Sequence, residues 1–111
     1  MIEPSVPEAG FEVTAEIADG TATVTIRGEV DVYTAPRLRD SLRRISADDA
    51  HHVILDLSAM TFIDSTGLGV IVGAVKRIRE DGGRLSLRAP SRSTRKVLDI
   101  TGLSEIIAIE D

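Results

Sequence analysis

The chain has 111 residues, 42% hydrophobic and only 3% aromatic, with no Trp and no Cys. That length supports one domain with one core of Val, Ile, Leu and Ala, which suits layered α/β packing. The lack of Cys excludes disulfides and thiolate metal sites and fits a reducing compartment.

A formal charge of −5 argues against a nucleic-acid partner held through phosphates. No apolar run approaches the ~18 residues of a membrane span. The composition therefore points to an acidic cytoplasmic module with no direct nucleic-acid or membrane partner. Residues 1–10, carrying Glu3, Pro4, Pro7 and Glu8, read as a flexible N-terminal arm without the basic start or apolar run of a signal peptide.

Phe11, Val13, Ala15 and Ile17 alternate with polar residues, the period of a half-buried strand. Asp19-Gly20 signals a hairpin, and Ala22, Val24 and Ile26 continue as a second, antiparallel strand ending near Gly28. Beyond Gly28-Glu29-Val30-Asp31 the period changes. Thr34 is the expected cap of a helix with Pro36 in its first turn and an apolar stripe of Ala35, Leu38, Leu42 and Ile45.

Residues 53–57 read as a short strand, and 58–62 as a connection to a long helix that begins near Ser65 and ends at Asp81-Gly82-Gly83. Residues 84–88 form another strand. Residues 91–93 offer caps for a third helix carrying Val97, Leu98 and Ile100 and closing at Gly102, and 106–109 form a last strand. The order is ββαβαβαβ, an α/β domain spanning 11–111 with a mixed β-sheet packed by α-helices.

The stretch Ile63-Asp64-Ser65-Thr66-Gly67-Leu68-Gly69-Val70-Ile71-Val72-Gly73 places an acid, two hydroxyls and three glycines at a helix start. Such a start leaves backbone N–H groups unpaired and carries partial positive charge. Asp64 or Ser65 can cap it, and the same amides can hold a phosphate.

Rotation by ~100° per residue puts Leu68, Ile71, Ala74, Val75 and Ile78 on one side. Ser65, Gly69, Gly73, Lys76 and Glu80 fall opposite, with Val72 at the edge. A glycine inside a helix costs roughly 1 kcal/mol relative to Ala. Two on an exposed face gain nothing in the isolated domain, but they suit close approach of another protein, with Val72 adding apolar contact. The plainer reading is a cap, with glycines that relieve packing against a loop. The rotation favours the docking surface without assigning a modification to Ser65.

Enzymatic readings fit less well. Ser65 is not in a G-x-S-x-G elbow. His51 and His52 precede a strand whose five residues separate them from Ser65 by more than ~15 Å, so they read as surface groups at a strand entry. Gly67-Leu68-Gly69 begins a G-x-G-x-x-G pattern, but the sixth position is Val72, and no Gly-Lys-Ser/Thr follows. Asp31, Asp56 and Asp64 are scattered acids without His or Cys support, so no metal and no cofactor is expected.

Asp64-Ser65-Thr66-Gly67-Leu68-Gly69 resembles the signature of STAS-domain anti-sigma factor antagonists. Gly28-Glu29-Val30-Asp31 resembles the family's G-E-[LV]-D element, and Val53-Ile54-Leu55-Asp56-Leu57 with Phe62-Ile63 its central strand and approach. Gly82-Gly83 and Thr101-Gly102-Leu103 fall where similar turns occur, so the likeness covers about residues 11–109.

The resemblance implies a STAS fold and a non-enzymatic, cytoplasmic antagonist. Such a protein binds an anti-sigma factor serine kinase, frees sigma factor, and is switched off by phosphorylation at Ser65. A PP2C-type phosphatase, dependent on Mn or Mg, resets it. Thr66 takes the second hydroxyl position, a secondary phosphosite candidate. The partner-binding residues expected are Asp31, Asp64, Thr66, Gly69, Val72 and Gly73. Asp31 reads equally as a helix-entry turn residue. The alternative is a non-phosphorylated STAS scaffold or accessory subunit of a transport or signalling complex. Many members carry a further C-terminal helix, whereas this chain stops at Asp111, and no role of that helix is carried over.

Overall fold

Alternation along the first strands dictates a sheet with one apolar face, and the computed structural model, which describes residues 2–3 and 10–111, shows it. Strands β1 (Ile2–Glu3), β2 (Phe11–Ala18), β3 (Thr21–Val30), β4 (His52–Ile63), β5 (Arg84–Arg88) and β6 (Ala108–Glu110) lie side by side in chain order in one sheet. The first three pair antiparallel and β3 to β6 pair parallel, so the sheet is mixed. Helices α1 (Ala35–Arg43), α2 (Ser65–Glu80) and α3 (Arg92–Ile100) supply the three crossovers. The expected ββαβαβαβ order is present from β2 onward. In the segment read as an arm, β1 pairs Ile2 with Glu16 and Glu3 with Ala15; residues 1 and 4–9 lie outside the described residues.

Asp19 and Gly20 both adopt positive φ, 52° and 77°, and close the hairpin between paired Ala18 and Thr21. This is the conformation that two-residue hairpin loops require. Val13, Ala15, Val24, Ile26, Val53, Leu55, Leu85 and Leu87 share the buried face, and the α1 stripe of Ala35, Leu38, Leu42 and Ile45 joins the same core. The other face carries Thr14, Thr23, Thr25, His52, Asp56, Arg88 and Glu110.

Three expectations need correction. The central strand does not stop at 57: residues 58–62, read as a connection, continue β4 to Ile63. The extension pairs with the far end of β3 through two irregularities, at each of which β4 carries one extra residue. Bulges of this kind break the alternation by which a strand is recognised. Ile100, named with Val97 and Leu98 as the apolar residues of α3, is 75% exposed and does not join the core. Residues 103–105 form a 3₁₀ turn that delays the last strand to Ala108–Glu110.

Candidate functional site

The C-terminal ends of β3 and β4 bring two loops together. Val30 and Ile63 are register partners, and the Asp64 N–H donates to the Val30 carbonyl at 3.1 Å. Asp31 and Asp64 therefore follow adjacent strand ends, as the crossover geometry implies.

Asp31 is engaged within its own loop. Its Oδ1 accepts from the N–H of Tyr33 at 2.9 Å and of Thr34 at 3.0 Å. Its own N–H donates to Thr34 Oγ1 at 2.9 Å, and its carbonyl accepts from Ala35 N–H at 2.8 Å. Asp31 thus caps the turn that opens α1. The expected cap, Thr34, makes no side-chain cap bond; it is buried and its hydroxyl donates to the Glu29 carbonyl at 2.9 Å. The reason is local. Asp side chains bond the backbone two and three residues on, which starts the turn three residues earlier than the helical period does.

At the second loop Asp64 is the cap, with extended backbone and Oδ1 accepting the Gly67 N–H at 3.0 Å. Ser65 is therefore the first helical residue. Ser65 and Thr66 are exposed, and their hydroxyls make no hydrogen bond among the described residues.

The glycines divide sharply. A Cβ on Gly67 would lie 2.7 Å from both Ile63 Cγ1 and Val30 Cγ1, whereas one on Gly69 or Gly73 would meet nothing within 4 Å. Gly69, Gly73, Lys76 and Glu80 form the exposed strip that rotation places opposite the core, with Val72 half-buried at its edge. Val70 is buried as well, because α1 packs along that flank, and Leu68 is only half-buried.

Sequence reasoning missed an apolar rim around this site. Val32 is 57% exposed, Tyr33 84% and Phe62 48%, all in or beside the two strand-end loops. The available signal was scarcity: Tyr33 and Phe62 are two of only three aromatic residues in the chain. The histidines lie elsewhere. His52 pairs with Thr21 and Arg84 at the start of β4, the opposite end of the strand from Ile63. Its Nε2 lies 2.6 Å from Ser86 Oγ, and burial, helped by Arg84, holds its pKa below the ordinary 6.5. Among the described residues no three His, Asp or Glu side chains converge as metal ligands, and no helix is long and apolar enough to cross a membrane.

The STAS domain model matches residues 12–111. An anti-sigma-B factor antagonist of Bacillus subtilis (strain 168) is 43% identical over 86 residues, covering 78% of this chain and 78% of that protein. The anti-sigma-B factor antagonist of Listeria monocytogenes is 38% identical over 88 residues, 79% of this chain and 77% of its own length. The crystal structure of an anti-sigma factor antagonist from Mycobacterium paratuberculosis matches with a TM-score of 0.80 at 28% identity, covering 90% of this chain and 85% of that one. With the family model matched over 12–111 and the fold shared with a solved relative, the chain belongs to the STAS-domain family, in which these bacterial regulators are its relatives.

Proposed function

We propose that this protein is a cytoplasmic anti-sigma factor antagonist. It binds an anti-sigma factor serine kinase through the start and outer face of α2, and phosphorylation at Ser65 switches that binding off. The observation that carries the reading is the position of Ser65. It is an exposed, unbonded hydroxyl at the first position of a helix already capped by Asp64, heading a strip where Gly69 and Gly73 leave open space. Asp31, Asp64, Thr66 and Val72 border the same surface.

A phosphate adds about −1.5 to −2 charges. Beside Asp64, in a closely approached interface, it brings like-charge repulsion and desolvation. A loss of ~3 kcal/mol weakens binding about a hundredfold. The helix N-terminus favours the phosphate by ~0.3–1 kcal/mol, so the fold persists while binding is lost. Because the cap belongs to Asp64, modification of Ser65 removes no cap bond. A PP2C-type phosphatase restores the binding form.

Intact mass with kinase and ATP tests this reading: one phosphate is expected on wild type and none on Ser65→Ala. Titration should show the phosphorylated form binding about a hundredfold more weakly. Phosphate uptake and loss of affinity that persist in Ser65→Ala would refute the assignment. Binding with no phosphate uptake would favour a scaffold role.

A further inference from the structure

Beside the glycine strip, α1 and α2 leave an open groove of about 300 Å³. Arg39, Arg43 and Arg77 line it, Gly69 and Gly73 expose their backbone to it, and the other lining residues, Leu42 among them, are apolar. Arg77 is fixed there, its Nη2 donating to the Leu42 carbonyl at 2.8 Å and tying α2 to α1. Arg39 and Arg43 stand one turn apart on α1, exposed, and neither joins an ion pair among the described residues. No carboxylate lines the groove. In a chain of net charge −5, three guanidinium groups around one groove reverse the local sign.

We propose that this groove takes an acidic segment of the protein partner. Its carboxylates pair with Arg39 and Arg43 while its backbone lies over Gly69 and Gly73. The inference rests on the proposed function and says what its partner must present. Guanidinium groups hold carboxylates in charge-assisted, often bidentate pairs. Gly69 and Gly73 lie four residues, ~6 Å, apart along the helix, a length matched to a peptide segment rather than to a point ion. A small ligand is a poor fit, because such sites enclose most of their occupant and fix it with convergent polar groups. This groove is open, and among the described residues its polar lining is the three arginines alone, one of them already bonded to the Leu42 carbonyl.

The test is stopped-flow association of the full chain with its anti-sigma kinase at low and high salt, comparing wild type with the Arg39→Gln/Arg43→Gln double variant. Both side chains are exposed and free of ion pairs, so an unchanged thermal melt is expected. Rim charges act mainly on encounter, so association should slow about tenfold at low salt, with dissociation little changed. Screening should then matter less to the variant than to wild type. The Arg39→Lys/Arg43→Lys double variant should recover most of the rate.

A double Gln variant that binds with the wild-type rate and salt dependence overturns this inference and leaves the proposed function standing. A wild-type protein that binds no such kinase overturns both. Vesicles of anionic lipid or single-stranded RNA that bind wild type and not the variant overturn it by naming a different occupant.

Discussion

Gly67 and Gly69 stand two residues apart on α2, yet a methyl group would fare very differently at each. At Gly67 it would run into Ile63 and Val30, the two side chains at the paired strand ends, while at Gly69, as at Gly73 a turn further on, it would reach only open space. Absence of a side chain at Gly67 lets the helix sit on the sheet. At Gly69 and Gly73 it does nothing for the isolated fold and lowers helix stability. The same residue type in one helix therefore reports a packing constraint at one position and open space at the others.

Substitutions can break that contrast. Gly67→Ala should lose about 1–3 kcal/mol through overpacking, because the opposing atoms belong to β-branched side chains with little freedom to yield. Thermal unfolding should show the loss as a fall of roughly 5 °C per kcal/mol. Gly69→Ala and Gly73→Ala should move the other way, each stabilising by roughly 1 kcal/mol, read in the same melts. A fall at either would mean that the strip is constrained by this chain's own packing.

The cap sharpens the comparison next. Asp64→Ala should lose ~1 kcal/mol and Asp64→Asn almost nothing, since Asn still accepts the Gly67 N–H; urea titration of the pair checks this. Ser65→Ala should leave stability near wild type, because the cap is not its own.

The smallest effect comes from His52, at the far end of β4. Its pKa is lower in the folded protein than the ordinary 6.5, so between those values the unfolded chain holds more proton and stability falls as pH drops below about 6.5. His52→Gln should flatten that part of the pH profile. The ordering of the glycine variants should be the same on both sides of it.

Much of this was legible because local patterns carry it. Alternation at 11–17 and 22–26, Asp19-Gly20 between them, and the α1 stripe each follow from neighbouring residues alone. So did the exposure of Gly69 and Gly73, which needs only the helical period. What escaped depended on partners distant in sequence. The second half of β4 is held by pairing with residues 27–30 across two irregularities, and no periodicity survives there to announce a strand.

Gly28 belongs to the same class. Its φ is +87°, and a Cβ would fall 1.8 Å from the Gly10 carbonyl oxygen, a contact set by residues 18 positions apart. At the site, Asp31 and Asp64 could be brought together from topology and Asp31 was readable as a helix-entry turn residue, but the period alone did not show that its carboxylate, and not the Thr34 hydroxyl, caps the turn there. The exposed rim of Val32, Tyr33 and Phe62 lay outside both periods. It became visible only when the two strand-end loops were seen side by side.

Under the proposed function, the bare face of α2 is kept for a partner at the expense of stability. The most direct measurement joins both halves on one preparation: melt the Gly69→Ala/Gly73→Ala double variant, then titrate it with the anti-sigma kinase. The expected result is a higher melting temperature together with affinity at least tenfold weaker, about 1.4 kcal/mol. A double variant that melts higher and binds the kinase as tightly as wild type would contradict it.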